Sequence, residues 1–322
     1  MSKPSSYELV TNQILEALEK GVIPWRLPWQ QQSARPTNIR GSLYRGINYF
    51  MLSLFGSLKG YASPYWLTFK QAKDNGGNVK AGEKATPVVF WKNITVKGKD
   101  KEDNDSGDIG ENPDNANDGA NDNPCEANAD EYSKSFWMVK HYYVFNIEQT
   151  ENVSVNLPSL GIVPREFSPI ERAEAIVAGY PHPPIIEYSG DRALYRRSTD
   201  TVILPPLEHF LSDEDYYDTL FHELGHSTAH TSRLNRSFST DKKERAMEEL
   251  IAELTDAFLC SEAGISQPVI GNQAAYIESW LEYLKNDKGA FLLASSRAQK
   301  AADYILNRKF AEQAQTTPGE AA

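Results

Sequence analysis

Phe221-His222-Glu223-Leu224-Gly225-His226 sits inside a helical pattern that begins near residues 213–215. Residues four apart on an α-helix share a face, so His222 and His226 can both aim a ring nitrogen at one metal ion. Glu223 lies about 100° around the helix from His222, within reach of a metal-held water but not of the metal. Two neutral imidazoles leave a zinc ion Lewis-acidic, the ion lowers the pKa of its water, and a carboxylate takes the proton. The spacing therefore predicts a zinc-hydrolase site with Glu223 as its general base. The approach Tyr216-Tyr217-Asp218-Thr219-Leu220-Phe221 is apolar, which predicts a buried helix rather than two histidines on a solvated one. Gly225 costs about 1 kcal/mol in a helix interior relative to Ala, so its presence predicts a close neighbour.

A catalytic zinc takes three protein ligands and keeps one position open. The metzincin spacing would need a glycine at 229 and a histidine at 232. The chain has Ala229 and Ser232, which excludes that class. His230 would crowd the face that His226 already uses, and is read as an outer or surface histidine. A second helix is expected over 244–262, where Met247, Leu250, Ile251, Leu254 and Phe258 recur at three-to-four spacing. Its other face carries Glu249 and Glu253, one turn apart. Glu249-Leu250-Ile251-Ala252-Glu253 resembles the E-x-x-A-[DE] helix of gluzincin metallopeptidases. The resemblance makes Glu249 the third zinc ligand and Glu253 the outer acceptor that orients a ligand histidine. The same two glutamates with their roles exchanged are the alternative.

At 322 residues two domains are expected. No apolar run approaches the roughly 18 residues of a membrane span, and the start Met-Ser-Lys-Pro-Ser-Ser has no apolar signal region. Cys125 lies in a polar tract and Cys260 in a helix, so no disulfide is expected, which fits a reducing cytoplasm. Charge is unevenly spread. Residues 1–97 hold 13 Lys/Arg against 5 Asp/Glu, whereas 98–131 hold 2 against 12 and 132–322 hold 18 against 27. A basic module on an acidic protein is the footprint of a nucleic-acid partner.

Within that module a short amphipathic helix is expected over 7–20, ended by Gly21. Trp25, Arg26, Trp29, Arg40, Tyr44, Arg45 and Tyr49 then alternate ring and charge. Aromatic faces stack on unpaired bases and cations track phosphates, which points to single-stranded DNA. Arg26, Arg40, Arg45 and Lys70 are the expected phosphate contacts, and Trp25, Trp29, Tyr44 and Tyr49 the expected base platforms. Residues 65–73 read as a helix. Residues 79–84, 86–97 and 135–146 read as strands, split by an insert over 98–133 too acidic and too poor in apolar residues to fold.

The expected organisation is α+β. A single-strand-binding domain spans 1–150, a linker 151–165, a zincin-like domain 166–310 and a frayed tail 311–322. In the second domain a helix is expected over 166–179 and strands over 184–188, 193–197 and 201–204. The last of these, just before the H-E-x-x-H helix, is expected to hold an extended peptide by β-augmentation. Closing helices are expected over 274–285 and 289–306.

Trp25-Arg26-Leu27-Pro28-Trp29, Tyr44-Arg45-Gly46-Ile47-Asn48, Leu67-Thr68-Phe69-Lys70-Gln71-Ala72, the H-E-x-x-H, Tyr276-Ile277-Glu278-Ser279-Trp280 and Gln299-Lys300-Ala301-Ala302-Asp303-Tyr304-Ile305 together resemble the ArdC-type antirestriction proteins of conjugative plasmids. The resemblance implies a single-stranded-DNA-binding N-terminal domain shared with TraC-type primases. It further implies a zincin-like C-terminal domain and protection of incoming plasmid DNA from host restriction. No E-G-Y-A-T-A signature is present, so primase activity is not implied. A cytosolic DNA-activated zinc protease cleaving a host protein, and a DNA-binding shield with an inactive zincin domain, are the alternatives.

Overall fold

A computed structural model describes residues 5–26, 35–98, 132–158, 168–236, 241–267 and 273–308, with the backbone alone for 92–98 and 132–137. The expectations for Trp29, for 99–131 and for the tail lie outside these residues.

The N-terminal part runs α1 (Ser6–Glu19), β1 (Thr37–Asn38), α2 (Ile47–Lys59), β2 (Tyr65–Leu67), α3 (Phe69–Asp74), β3 (Asn78–Val79), β4 (Thr86–Gly98), β5 (Tyr132–Asn146) and β6 (Thr150–Glu151). The main sheet has the order β1-β2-β5-β4, and β4 pairs antiparallel with β5 from Thr86↔Val144 to Gly98↔Tyr132. Leu52 of α2 packs there with Trp66, Val88 and Val144. Two readings need correction. Residues 65–73 are not one helix: β2 gives way to α3 at Thr68, which caps α3 in a reciprocal box with Gln71. The strand expected over 79–84 is only β3, paired with β6. Part of the expected linker is therefore structured, since β6 belongs to that small sheet and Val153 and Val155 pack beside Leu67.

The C-terminal part runs α4 (Pro169–Gly179), β7 (Ile185–Tyr188), β8 (Leu194–Arg196), β9 (Thr201–Leu204), α5 (Asp213–Ser227), α6 (Lys242–Ala263), α7 (Gln273–Asn286) and α8 (Ala290–Ile305). Its sheet has the order β7-β9-β8. β9 is paired on both sides, so the strand just before α5 has no free edge for a peptide; the edges belong to β7 and β8. Ser212 caps α5, and Asp213, Glu214 and Asp215 occupy its first turn, where negative charge suits the helix dipole. Asp241 caps α6, which ends at Gly264 in the left-handed conformation.

α5 lies against α6 at close range because Gly225 has no side chain. A Cβ there would stand 3.2 Å from Ala252 Cα and 3.3 Å from Ala252 O. One hydrophobic core runs through both parts of the chain. Trp25 packs on Phe291 with ring centres 5.3 Å apart, and Phe50 on Phe258 at 4.6 Å. Among the described residues no helix is long and apolar enough to cross a membrane.

Candidate metal centre

α5 turns His222 and His226 toward Glu249 of α6. Glu249 Oε2 lies 3.6 Å from His222 Nε2 and 3.5 Å from His226 Nε2. These three donors lie within 4.8 Å of one another. A tetrahedral ion with bonds of about 2.0–2.2 Å separates its ligand atoms by roughly 3.3–3.6 Å. Two imidazole nitrogens and one carboxylate oxygen therefore fit such an ion in both chemistry and spacing. The Glu249 side chain is 57% exposed, so the centre opens to solvent. Hydrogen bonding to His222 and His226 holds the Glu249 carboxyl well below the usual carboxylate range. Burial alone would lower the His226 pKa, but Glu248 and Glu249 outweigh it and push it up to about 10. The centre is thus built to hold positive charge.

Glu223 is buried beside the histidines. Burial raises its pKa, against the pull of His222, His226 and the backbone N–H of Tyr195. That N–H belongs to β8, so the free edge of β8 adjoins Glu223. Tyr195 is held at its other end too, its hydroxyl donating to Asp200 at 2.8 Å. Asp200 in turn is paired with Arg233, whose Nε donates to the Ser227 carbonyl at the end of α5.

The carboxylate beside His226 Nδ1 is Glu248, at 3.6 Å, and not Glu253. Glu248 is clamped by Arg236, whose Nε and Nη2 donate to its two oxygens at 3.0 and 2.6 Å. Burial would raise the Glu248 pKa, yet His226 and Arg236 hold it low. Glu253 lies one helical turn beyond Glu249, 3.3 Å from Arg26. Counting along the helix separates these glutamates poorly, and neither Glu248 nor Arg236 carries a motif that would have found it. His230 is half-buried, with Nδ1 2.7 Å from Ser232 Oγ.

The expected DNA contacts divide sharply. Trp25 is 0% exposed and donates its Nε1–H to the Tyr276 hydroxyl at 3.1 Å. Tyr49 is 2% exposed and bonds Ser261. Tyr44 is packed against the cluster of Leu52, Trp66, Val88 and Val144, Arg45 pairs with Asp303, and Arg26 pairs with Asp218 and Glu253. These five are core or internal ion-pair residues. Arg40 and Lys70 are exposed.

Two family models match the chain. Residues 4–145 match the N-terminal domain of the anti-restriction factor ArdC, and 171–297 match a zincin-like metallopeptidase. The antirestriction protein ArdC of plasmid R388, solved with Mn(II) bound, is 33% identical. Its TM-score is 0.68, over 94% of this chain and 98% of that one. Its metal-free structure is 34% identical with a TM-score of 0.68, over 95% of this chain and 99% of that one. An uncharacterised protein, y4eC of Sinorhizobium fredii (strain NBRC 101917 / NGR234), is 33% identical over 93% of this chain and 91% of its own. A DNA primase TraC of Escherichia coli is 35% identical over 94% of this chain, which spans only 27% of that protein's length. Identity that is spread over both parts of the chain, together with a matching fold, decides the assignment: the chain belongs to the ArdC family of antirestriction proteins.

Proposed function

We propose that the chain binds single-stranded DNA and protects incoming plasmid DNA from host restriction, and that it carries a working metallopeptidase-type centre. The observation that carries the second half is the convergence of His222, His226 and Glu249 with Glu223 buried beside them. His222, His226 and Glu249 would hold a zinc ion, for which two imidazoles and a carboxylate are a common donor set. When bound, the ion supplies Lewis acidity and lowers the pKa of a water. The Glu223 carboxylate, buried beside His222 and His226, would accept a proton from a water held there. Glu248, fixed by Arg236, keeps Nδ1 of His226 protonated and Nε2 free to ligate. The β8 edge receives an extended peptide in register with Glu223, the place first expected for β9. A structural site has no use for a buried general base, which favours this reading over an inert shield.

The surface for DNA is the part of the basic module that stays exposed. Phe69 is 52% exposed with Lys70 beside it, and Lys73 Nζ stands 5.8 Å from its ring. On β5, Tyr143 is 48% exposed and stands edge-on to His141, with ring centres 5.5 Å apart. A ring with cations around it suits a base and its phosphates. The chain would act in the cytoplasm, where incoming strands meet restriction enzymes.

The test is plasmid transfer into a restricting host together with single-strand affinity. Glu223→Gln is expected to keep metal and DNA binding and to lose any peptide hydrolysis by about 10²–10⁴-fold. Phe69→Ala/Lys70→Ala is expected to weaken single-strand binding and lower its salt dependence. Protection should follow the DNA variant, because shielding requires occupancy. Protection lost with Glu223→Gln at full DNA affinity would instead make proteolysis the mechanism.

A further inference from the structure

α5 and α6 face each other like two rungs of a ladder. On one rung His222 and His226 meet Glu249. Four residues before His222 stands Asp218, and four residues after Glu249 stands Glu253. Residues so spaced share a helix face, about 6 Å along the axis. The second rung is therefore a pair of carboxylates next to the candidate metal ligands, and it too holds a cation. Arg26 Nη1 is 3.5 Å from Asp218 and Nη2 is 3.3 Å from Glu253, and none of the three side chains is more than 14% exposed.

This guanidinium arrives from the far end of the sequence, and its backbone is pinned. Trp25 beside it is wedged against Trp280 and Phe291 and bonded to Tyr276. Behind the rung, Asp256 and Cys260 are fully buried, with Cys260 Sγ donating to Asp256 at 3.1 Å. Asp218, Asp256 and Cys260 bring three donor atoms within 4.8 Å of one another at this end of the helix pair. Among the described residues Arg26 is the cation paired with both Asp218 and Glu253.

We propose that Arg26 is a positioning residue of the candidate metal centre, supplied by the N-terminal part of the chain. By bridging Asp218 and Glu253 it sets the spacing and rotation of α5 against α6, and so keeps Glu249 opposite the two histidines. The centre is then not contained within residues 166–310. This rests on the ligand roles proposed for His222, His226 and Glu249. Two effects of removing Arg26 oppose each other. Loss of a positive charge one turn away would strengthen attraction for a metal ion. Loss of the bridge leaves two facing, poorly solvated carboxylates that drive the helices apart or rotate them. The arrangement of two pairs on one guanidinium makes the second effect the larger.

The experiment measures Zn²⁺ and Mn²⁺ affinity of the full chain, by chelator competition and Mn²⁺ paramagnetic resonance. The variants are Arg26→Met, Arg26→Lys, Glu249→Ala, and Arg26→Met combined with Asp218→Asn and Glu253→Gln. Arg26→Met is expected to weaken metal binding about 10–100-fold, as loss of outer-shell support does elsewhere. Arg26→Lys keeps the charge but not the fork and should fall between. The triple variant, with an uncharged rung, should regain most of the affinity, which a general loss of packing would not do. Wild-type or tighter affinity in folded Arg26→Met, with Glu249→Ala impaired, overturns the proposal alone. Wild-type affinity in Glu249→Ala overturns the ligand assignment and the proposal with it. If Arg26→Met does not fold, wild-type affinity in Arg26→Lys together with lost affinity in the triple variant overturns it.

Discussion

The orientation of His226 turns on one atom. Its Nδ1 is buried and makes no hydrogen bond shorter than 3.5 Å, and Glu248 Oε1 stands 3.6 Å from it. Ligation by Nε2 requires the proton on Nδ1, so whatever faces Nδ1 selects the useful tautomer. Glu248→Ala is expected to lower metal affinity about 10–100-fold with the fold intact. Dialysis against Zn²⁺ followed by metal analysis measures this, and unchanged affinity would remove Glu248 from the orienting role. His222, Glu223 and His226 were legible because four-residue spacing on a helix leaves no freedom. Glu249 was reached through the E-x-x-A-[DE] resemblance, but that Glu248 rather than Glu253 stands beside His226 was not legible, because it depends on how α6 is rotated against α5. Likewise Trp25, Arg26, Tyr44, Arg45 and Tyr49 read as a basic-aromatic surface. The carboxylates that claim Arg26 lie 192 and 227 residues away, and nothing local announces them.

Among the elements, the α5–α6 pair is set by the contact of Gly225 with Ala252. An added methyl at 225 would have to move α6 backbone, since its nearest neighbours are Ala252 Cα and O. Overpacking costs about 1–3 kcal/mol, against which better helix propensity offsets about 1 kcal/mol. Gly225→Ala should therefore destabilise by about 1 kcal/mol and lower the Tm by about 1–2 °C. A thermal melt reads it, and a Tm at or above wild type would show that the helices have slack. Legibility varied with period. α5, α6, α7 and α8 each show an apolar stripe, and the sequence ranges hold to within a few residues. α2 was not read at all, because Ile47, Asn48, Tyr49, Phe50, Met51, Leu52, Ser53 and Leu54 are all buried and leave no polar face to mark a period. The strand-to-helix switch at Thr68 did have a local signal, the Thr68-Phe69-Lys70-Gln71 capping box, which an apolar 65–69 obscured.

Across the whole molecule, the two parts are fastened at Glu262 of α6, which pairs with Arg35 at 3.1 Å and with Arg308 near the end of the chain. Burial would raise the Glu262 pKa, but Arg308 and Arg35 hold it below the usual carboxylate value. A depressed folded pKa gives stability that is present at neutral pH and lost as pH falls through about 4.5 and below. Between about pH 5 and 3 the urea midpoint of the wild type should drop more steeply than that of Glu262→Gln. Parallel slopes would mean that this ion pair contributes nothing. The domain expectation of 1–150 and 166–310 follows the uneven charge and the family resemblance, but charge says nothing about a core shared between the two parts. That core also has a history. Trp25 bonds Tyr276, 251 residues later. At roughly 5–20 residues per second, a ribosome needs about 13–50 s to deliver the partner. During that interval the first tryptophan of the chain has no home, and the nascent protein offers it to chaperones.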